Sequence, residues 1–309
     1  MEERTKHLIT RGLRFILHVS FVFLLPFIGC GQILLNKEGE AFTDAPFFNQ
    51  EIVRANHIKS IEGNYSTKKP NDIVRESSDW FRYKFNESGH LIETLDIRTI
   101  HRKKDSILHQ FTYNDAGCIL THRKSENGGY TMVKYTYDSL NQLESESTYR
   151  ELYSYKLNQV IESNLLNIEY FQYIRSEHEV EQIRFNNYRL PYLDVVSRYN
   201  EDQYLLDKIT HFRVSSEEHK TTFTYNERGL LASKAEYMNG KELSEEEWKY
   251  AYDSYGNLME VHFYRNGEFQ KDFQIIYDSK TQMLGATIQR DVATDLLLIL
   301  RFKKYTYFP

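Results

Sequence analysis

The sequence predicts an all-β protein, an antiparallel meander of tandem β-hairpin repeats of roughly 25 residues each, forming an elongated or curled sheet. Three observations carry this. Aromatic residues make up 15% of the chain, with 24 Tyr and 19 Phe, the side chains that suit pleated, half-buried surfaces. Tyr and Phe alternate with polar residues at a period of two. Asn, Asp and Gly punctuate these runs at regular intervals.

The repeat reads aromatic-x-Tyr-(Asn/Asp)-x-x-(Gly/Asn)-x-(Leu/Ile). It stands at Tyr83–Leu91, Phe111–Ile119, Tyr135–Leu143, Phe223–Leu231, Tyr250–Leu258 and Ile275–Met283. Degraded copies are read around Tyr155, Tyr173 and Tyr199, so successive third positions lie 18 to 28 residues apart. Within one copy, Phe223 and Tyr225 share a face opposite Thr222 and Thr224. The next Asn or Asp bends the chain through its own side chain, and Gly or Asn three residues later supplies a positive φ. The return strand ends in a second turn, Asn239-Gly240 in one copy and Asn266-Gly267 in the next.

Residues 44–79 lack the motif and are expected to cap the array, with Asn49 capping a short helix over Gln50–Asn56 before a strand. Residues 80–285 hold the repeats, and 286–309 are expected to be C-terminal capping strands. Over Ile161–Tyr192 the repeats shorten, which leaves a bulged stretch or a helical insertion open. A sheet aromatic on one face must bury that face by curling, by a second layer or against a partner.

The N-terminus reads as an export signal over residues 1–29. Four basic residues precede the apolar stretch Phe15–Ile28, too short for a membrane span of about 20 residues. It ends Phe27-Ile28-Gly29-Cys30, which resembles the lipobox of bacterial lipoproteins, with Phe27 where that family prefers Leu. The resemblance implies a lipid on Cys30 and a tether over 30–43. Ordinary cleavage near Gly31 and an uncleaved anchor remain the alternatives. An exported chain with Cys30 acylated has only Cys118 left, hence no internal disulfide, and Cys118 is read as a small filler at a hairpin corner.

The formal charge is −5, and removing the basic leader makes the chain more acidic still. No clustered basic face exists, so nucleic acid is not expected as a partner.

The copies resemble YD repeats of the Rhs/teneurin type, whose hallmark Tyr252-Asp253, Gly256, Asn257 and Leu258 match. Tyr137-Asp138 and Tyr277-Asp278 match in part. The resemblance covers about residues 80–285, and it extends to short YD-repeat envelope lipoproteins of bacteria. It implies the architecture and brings no activity. The encapsulating role of large family members does not carry over to a chain of 309 residues.

No G-x-S-x-G, P-loop, G-x-G-x-x-G or H-E-x-x-H motif occurs, so no catalytic, cofactor-binding or metal-binding residues are expected. His101, His109 and His122 fall in one region and His211 and His219 in another, and all read as scattered surface histidines. Glu217-Glu218 and Glu245-Glu246-Glu247 read as solvated charge. Trp80, Trp248 and the tyrosines are the side chains that could stack on a sugar or peptide, although a sheet core explains them as well. The expected protein is a non-enzymatic, lipid-anchored envelope scaffold or binding module for protein or glycan. An immunity or accessory partner of a toxin system, and an envelope polysaccharide hydrolase, are the alternatives.

Overall fold

The structure, a computed structural model, describes residues 32–309 apart from 101, 102, 127 and 155. The export signal and Cys30 lie outside the described residues, as does His101. Among the described residues, eighteen strands follow α1 (Gln50–Ala55). The first nine are β1 (Ile58–Lys68), β2 (Arg75–Phe85), β3 (Leu91–Ile100), β4 (Lys103–Tyr113), β5 (Ile119–Glu126), β6 (Gly129–Tyr137), β7 (Leu143–Ser154), β8 (Gln159–Arg175) and β9 (Glu179–Phe185). The rest are β10 (Pro191–Tyr199), β11 (Leu205–Phe212), β12 (Glu218–Tyr225), β13 (Leu231–Met238), β14 (Glu246–Tyr252), β15 (Leu258–Arg265), β16 (Glu268–Tyr277), β17 (Leu284–Asp291) and β18 (Leu297–Tyr307).

Each strand pairs antiparallel with its neighbours in the chain, and β1 pairs with β18 along its whole length, from Ile58↔Tyr307 to Lys68↔Leu297. The antiparallel meander is therefore as expected, but the open elongated or curled sheet is not: the meander closes into a β-barrel. Closure satisfies the two edges that an open array would leave unpaired. Periodicity within a strand carries no signal for this, because pairing between the first strand and the last depends on accumulated twist and stagger.

The turns form as their chemistry dictates. At Asn86, Asn114, Asp138, Asn200, Asn226 and Asp253 the side-chain Oδ1 accepts from the backbone N–H four residues on. The residue three after each has positive φ, Gly256 at 92° and Asn141 at 58° among them. These turns all follow even-numbered strands and so gather at one end of the barrel. Asn239-Gly240 and Asn266-Gly267 have positive φ at both residues, the signature of a type I′ turn, and lie at the other end.

The helix Gln50–Ala55 is capped by Asn49, whose side chain accepts from the Glu51 N–H. Over 161–192 the chain is strand throughout most of its length, and the bulged alternative is the one realised. β8 slips register against β7 opposite Thr148/Tyr149 and again opposite Leu152/Tyr153. One degraded copy is corrected. Tyr173 stands just before the β8–β9 turn, where the Ser176 N–H donates to the Glu179 carbonyl, at the same end of the barrel as the other copies. The copy read over 153–160 falls instead on the β7–β8 corner, at the opposite end, one strand rather than one hairpin away, which explains the short spacings of 18 residues. A further turn of the same chemistry, which the motif did not reveal, stands at Asn186 after β9, with Arg189 at φ 60°.

Alternation sends the aromatic face inwards. The segment preceding β1 shows which face is inner. Glu38 pairs with Lys208 of β11, and Asp44, six residues on, pairs with Lys124 of β5. The segment thus bridges strands six apart on the ring while its apolar residues pack on the aromatic face of β2 and β15–β18, which places it inside the barrel. Its Ile33, Leu34, Phe47, Phe48 and Val53 form one buried cluster with Tyr65, Phe81, Phe85, Leu258, Ile275 and Leu284 of the wall. Barrels of this strand number are too wide for wall side chains to fill. The N-terminal segment supplies the missing core for β1–β4 and β14–β18.

Candidate functional site

Register builds the site row by row. Tyr83 on β2 faces Thr94 on β3, Thr94 faces His109 on β4, and His109 faces Lys124 on β5. The adjacent row runs Phe81, Asp96, Ile107. The inner segment lays Phe42, Thr43, Asp44 and Phe47 across these rows. Between them lies a cavity of about 230 Å³.

Its walls are aromatic. Tyr65 meets Phe81 edge-on at 5.3 Å, and Phe47 meets Tyr83 edge-on at 5.9 Å. Thr43, Thr94 and His109 also line it, and its acids and bases come as two ion pairs. Arg98 lies over the Tyr65 ring at 4.6 Å; its Nη2 donates to the Tyr65 hydroxyl at 3.2 Å and its Nε to Asp96 at 2.9 Å. Burial and the Asp96 carboxylate push the Tyr65 hydroxyl well above its ordinary range, so it stays protonated. Lys124 donates to Asp44 at 3.0 Å. Burial raises the Asp44 carboxyl, but the Lys124 bond and the nearby imidazoles outweigh it and hold the group below the usual range. Asp96 Oδ1 is closed off from solvent, with the Tyr65 hydroxyl beside the carboxylate.

Beside the cavity, His109 and His122 stack at 5.2 Å, with Nδ1 of one 2.9 Å from Nε2 of the other. Phe111 stacks on His122 at 4.5 Å. This corrects the reading of scattered surface histidines, since His109 is 6% exposed. Burial depresses both imidazoles, and His122, with His109 beside it, is pushed down to about 4. A spacing of 13 residues gave no sign of this, because the pair is made by the β4–β5 register. Among the described residues no group of three or more His, Cys, Asp or Glu could hold a metal ion.

Other candidates fall elsewhere. His219 contacts Glu217 at 2.9 Å and His211 contacts Glu218 at 3.3 Å. Glu245, Glu246 and Glu247 pair with Lys241, Arg265 and Lys249. Trp248 packs inward on Phe263 at 5.3 Å, with Lys234 over it at 4.8 Å, while Trp80 is on the outer face. Cys118 sits in the β4–β5 turn, its N–H donating to Asn114, as a free thiol. On the far wall, Glu146 of β7 faces Glu169 of β8, and burial together with Glu169 raises the Glu146 carboxyl.

The outer face is charged all round the ring. Arg82 and Lys84 pair with Glu93, Arg123 with Glu151, Arg198 with Asp207, Arg213 with Asp194, and Lys304 with Glu62. A lipid-facing barrel carries an apolar band about 25 Å tall on that face. The fold and the site thus define a closed β-barrel with a charged outer wall and an aromatic, ion-paired cavity inside.

No family model matches the chain, and no curated protein matches it. Among solved structures, a porin-like protein from Bacteroides uniformis is 11% identical over 81% of this chain and 98% of that one, with a TM-score of 0.38. A porin-like protein from Bacteroides vulgatus is 12% identical over 69% and 97%, at 0.29. A LolA superfamily protein from Nitrosomonas europaea is 10% identical over 84% and 93%, at 0.23. Likeness at this level carries no argument about what the chain does.

Proposed function

We propose that the protein is a non-enzymatic, exported binding protein of the bacterial envelope, tethered through Cys30 and holding its ligand inside the barrel. One observation carries the reading: the barrel wall is charged outside, while aromatic rings and paired charges converge on a cavity inside. A pore needs the opposite outer face. A cavity with aromatic walls and a few convergent polar groups is what small-ligand sites have in common. The Asx turns and inward tyrosines fit a wall built of YD-type copies, a reading that rests on the sequence motif. The tether rests on the lipobox resemblance. Intact mass of the membrane fraction tests it: a diacyl-sized increment is expected in the wild type and absent in Cys30→Ala. An unmodified, soluble wild type overturns the tether.

A second reading, a polysaccharide hydrolase, is favoured by Glu146 and Glu169 facing each other on the inner wall with one carboxyl raised. It requires turnover of an envelope polysaccharide that Glu146→Gln abolishes. No observation favours an accessory role beside a toxin.

A further inference from the structure

We propose that the free edge of β8 over Gln159–Glu169 is the contact through which two copies of this chain pair, strand against antiparallel strand, about a two-fold axis at Ser163. This goes beyond the binding reading above and depends on neither its ligand nor its tether.

The barrel wall is not closed at every height. β8 has 17 residues, but β9 has 7 and pairs only with Tyr170–Arg175 before the chain turns at Asn186. Gln159–Glu169 therefore bond β7 on one side and, among the described residues, no strand on the other. A row of unpaired N–H and C=O groups is a template for one more strand. Every residue from 161 to 167 is exposed, so the barrel covers neither face of this stretch.

Edges elsewhere in the wall are guarded by charge, and this one is not. β5 leaves β4 unpaired over Lys103–Leu108, which opens Lys103-Lys104-Asp105, and β17 leaves β18 unpaired over Phe302–Tyr307, which holds Lys303 and Lys304. Lysines on an edge keep other strands off. Gln159–Glu169 contains no Lys, Arg or Pro. Its two register slips leave Ile161 and Leu166 with no residue opposite them on β7, and these side chains are 56% and 62% exposed, with Leu165 at 49% between them. Apolar side chains beside bare backbone are what strand addition buries.

The stretch is its own complement. In an antiparallel pair centred on Ser163, Ile161 stands opposite Leu165 of the second copy, Val160 opposite Leu166 of the second copy, and Glu162 opposite Asn164 of the second copy. Apolar meets apolar, and no carboxylate meets another. Asn164 donates to Glu162 at 2.8 Å within the strand, so the same two groups suit each other across the axis. A second copy also brings an identical bare edge, and one self-complementary contact covers both.

The test is sedimentation equilibrium of the full mature chain carrying Cys30→Ala, in reductant, so that neither an acyl chain nor a disulfide joins the copies. A reversible dimer is expected. Ile161→Lys combined with Leu166→Lys changes two side chains that are more than half exposed, and should keep the thermal midpoint. The dimer should weaken about tenfold or more, because like charges then crowd the axis. Leu140→Lys, in the β6–β7 turn and 74% exposed, should leave it unchanged. Ser163→Cys reads the register independently. Residues directly opposite in an antiparallel pair have Cα atoms about 4.5–5.5 Å apart, within the span of a disulfide. Mild oxidation should therefore link two copies through the new thiols, and Leu140→Cys should link them far more slowly. A chain that stays monomeric up to about 1 mM overturns the proposal, even if its edge takes up a foreign peptide. So does a dimer indifferent to the double substitution, or one in which Ser163→Cys does not cross-link. None of these outcomes bears on the tether or on a ligand inside the barrel.

Discussion

Replacing Tyr277 by Phe removes one oxygen and separates two neighbouring copies. The Tyr277 hydroxyl donates to the Leu258 carbonyl at 2.9 Å, at the start of the return strand of the preceding copy. Tyr113 does the same to Leu91, Tyr137 to Ile119, Tyr225 to Leu205 and Tyr305 to Leu284. At Tyr252 the hydroxyl instead accepts from Asn36 of the inner segment. Tyr277→Phe should lower stability by about 1–2 kcal/mol, the cost of leaving a buried carbonyl unpaired. Urea titration measures it, and Tyr255→Phe, at an exposed turn position, should leave the midpoint unchanged. Asp253 bonds the N–H groups of Tyr255 and Asn257 and the Asn257 amide, so Asp253→Ala should cost a similar amount, and Asp253→Asn less.

At the scale of elements, the decisive contact is the one between the first strand and the last. Gly63 of β1 lies between Arg301 of β18 and Phe81 of β2, and a Cβ there would stand 2.2 Å from the Arg301 carbonyl oxygen and 2.3 Å from the Phe81 ring. One obstacle is backbone and the other a ring 2% exposed, so neither moves cheaply. Gly63→Ala should cost about 1–3 kcal/mol by overpacking. It should also raise hydrogen exchange along β1 and β18 before the rest of the wall, because the seam then opens as a unit. Uniform exchange along the ring would show that the seam is no weaker than other pairings. On the outer wall, Glu151 is 3% exposed and meets Arg123 at 2.9 Å across β6. Arg123→Ala should destabilise by about 3–5 kcal/mol, since it leaves a buried carboxylate alone. A loss below 1 kcal/mol, measured by the same titration, would show that water reaches it.

The whole molecule should feel acid through the histidine pair. In the folded barrel both imidazoles titrate below the ordinary 6.5, His122 at about 4, so between those values the unfolded chain binds more protons than the folded one. Stability is then full above pH 6.5 and declines as the pH falls towards about 4. The charged groups facing the pair are Lys124, which opposes its protonation, and Asp44, which favours it. The thermal midpoint of the wild type should fall across this window, and the His109→Gln, His122→Gln double variant should flatten the fall. An equal slope in both would assign the acid response to the carboxylates. Because Asp44 lies on the inner segment, hydrogen exchange over residues 40–48 should rise first.

Alternation of aromatic and polar residues, the Asn/Asp turns and the Asn-Gly corners are local chemistry, and they were legible: strands, turn types and the capped helix at Asn49 follow from side chains and their near neighbours. Where local signals decayed, over 153–160, the reading misplaced a copy, because a motif one strand away points to the other end of the barrel. Closure of β1 on β18, the inner course of residues 32–56 and the cavity itself were decided by tertiary structure alone. Tyr83, Thr94, His109 and Lys124 form one row only through the register of three strand pairs, and Asp44 reaches that row only as a chord across the barrel. The sequence by itself determined a wall of β hairpins with one aromatic face. The number of strands needed to close that wall, and what fills a lumen too wide for its own side chains, follow from summed twist and packing over the whole chain.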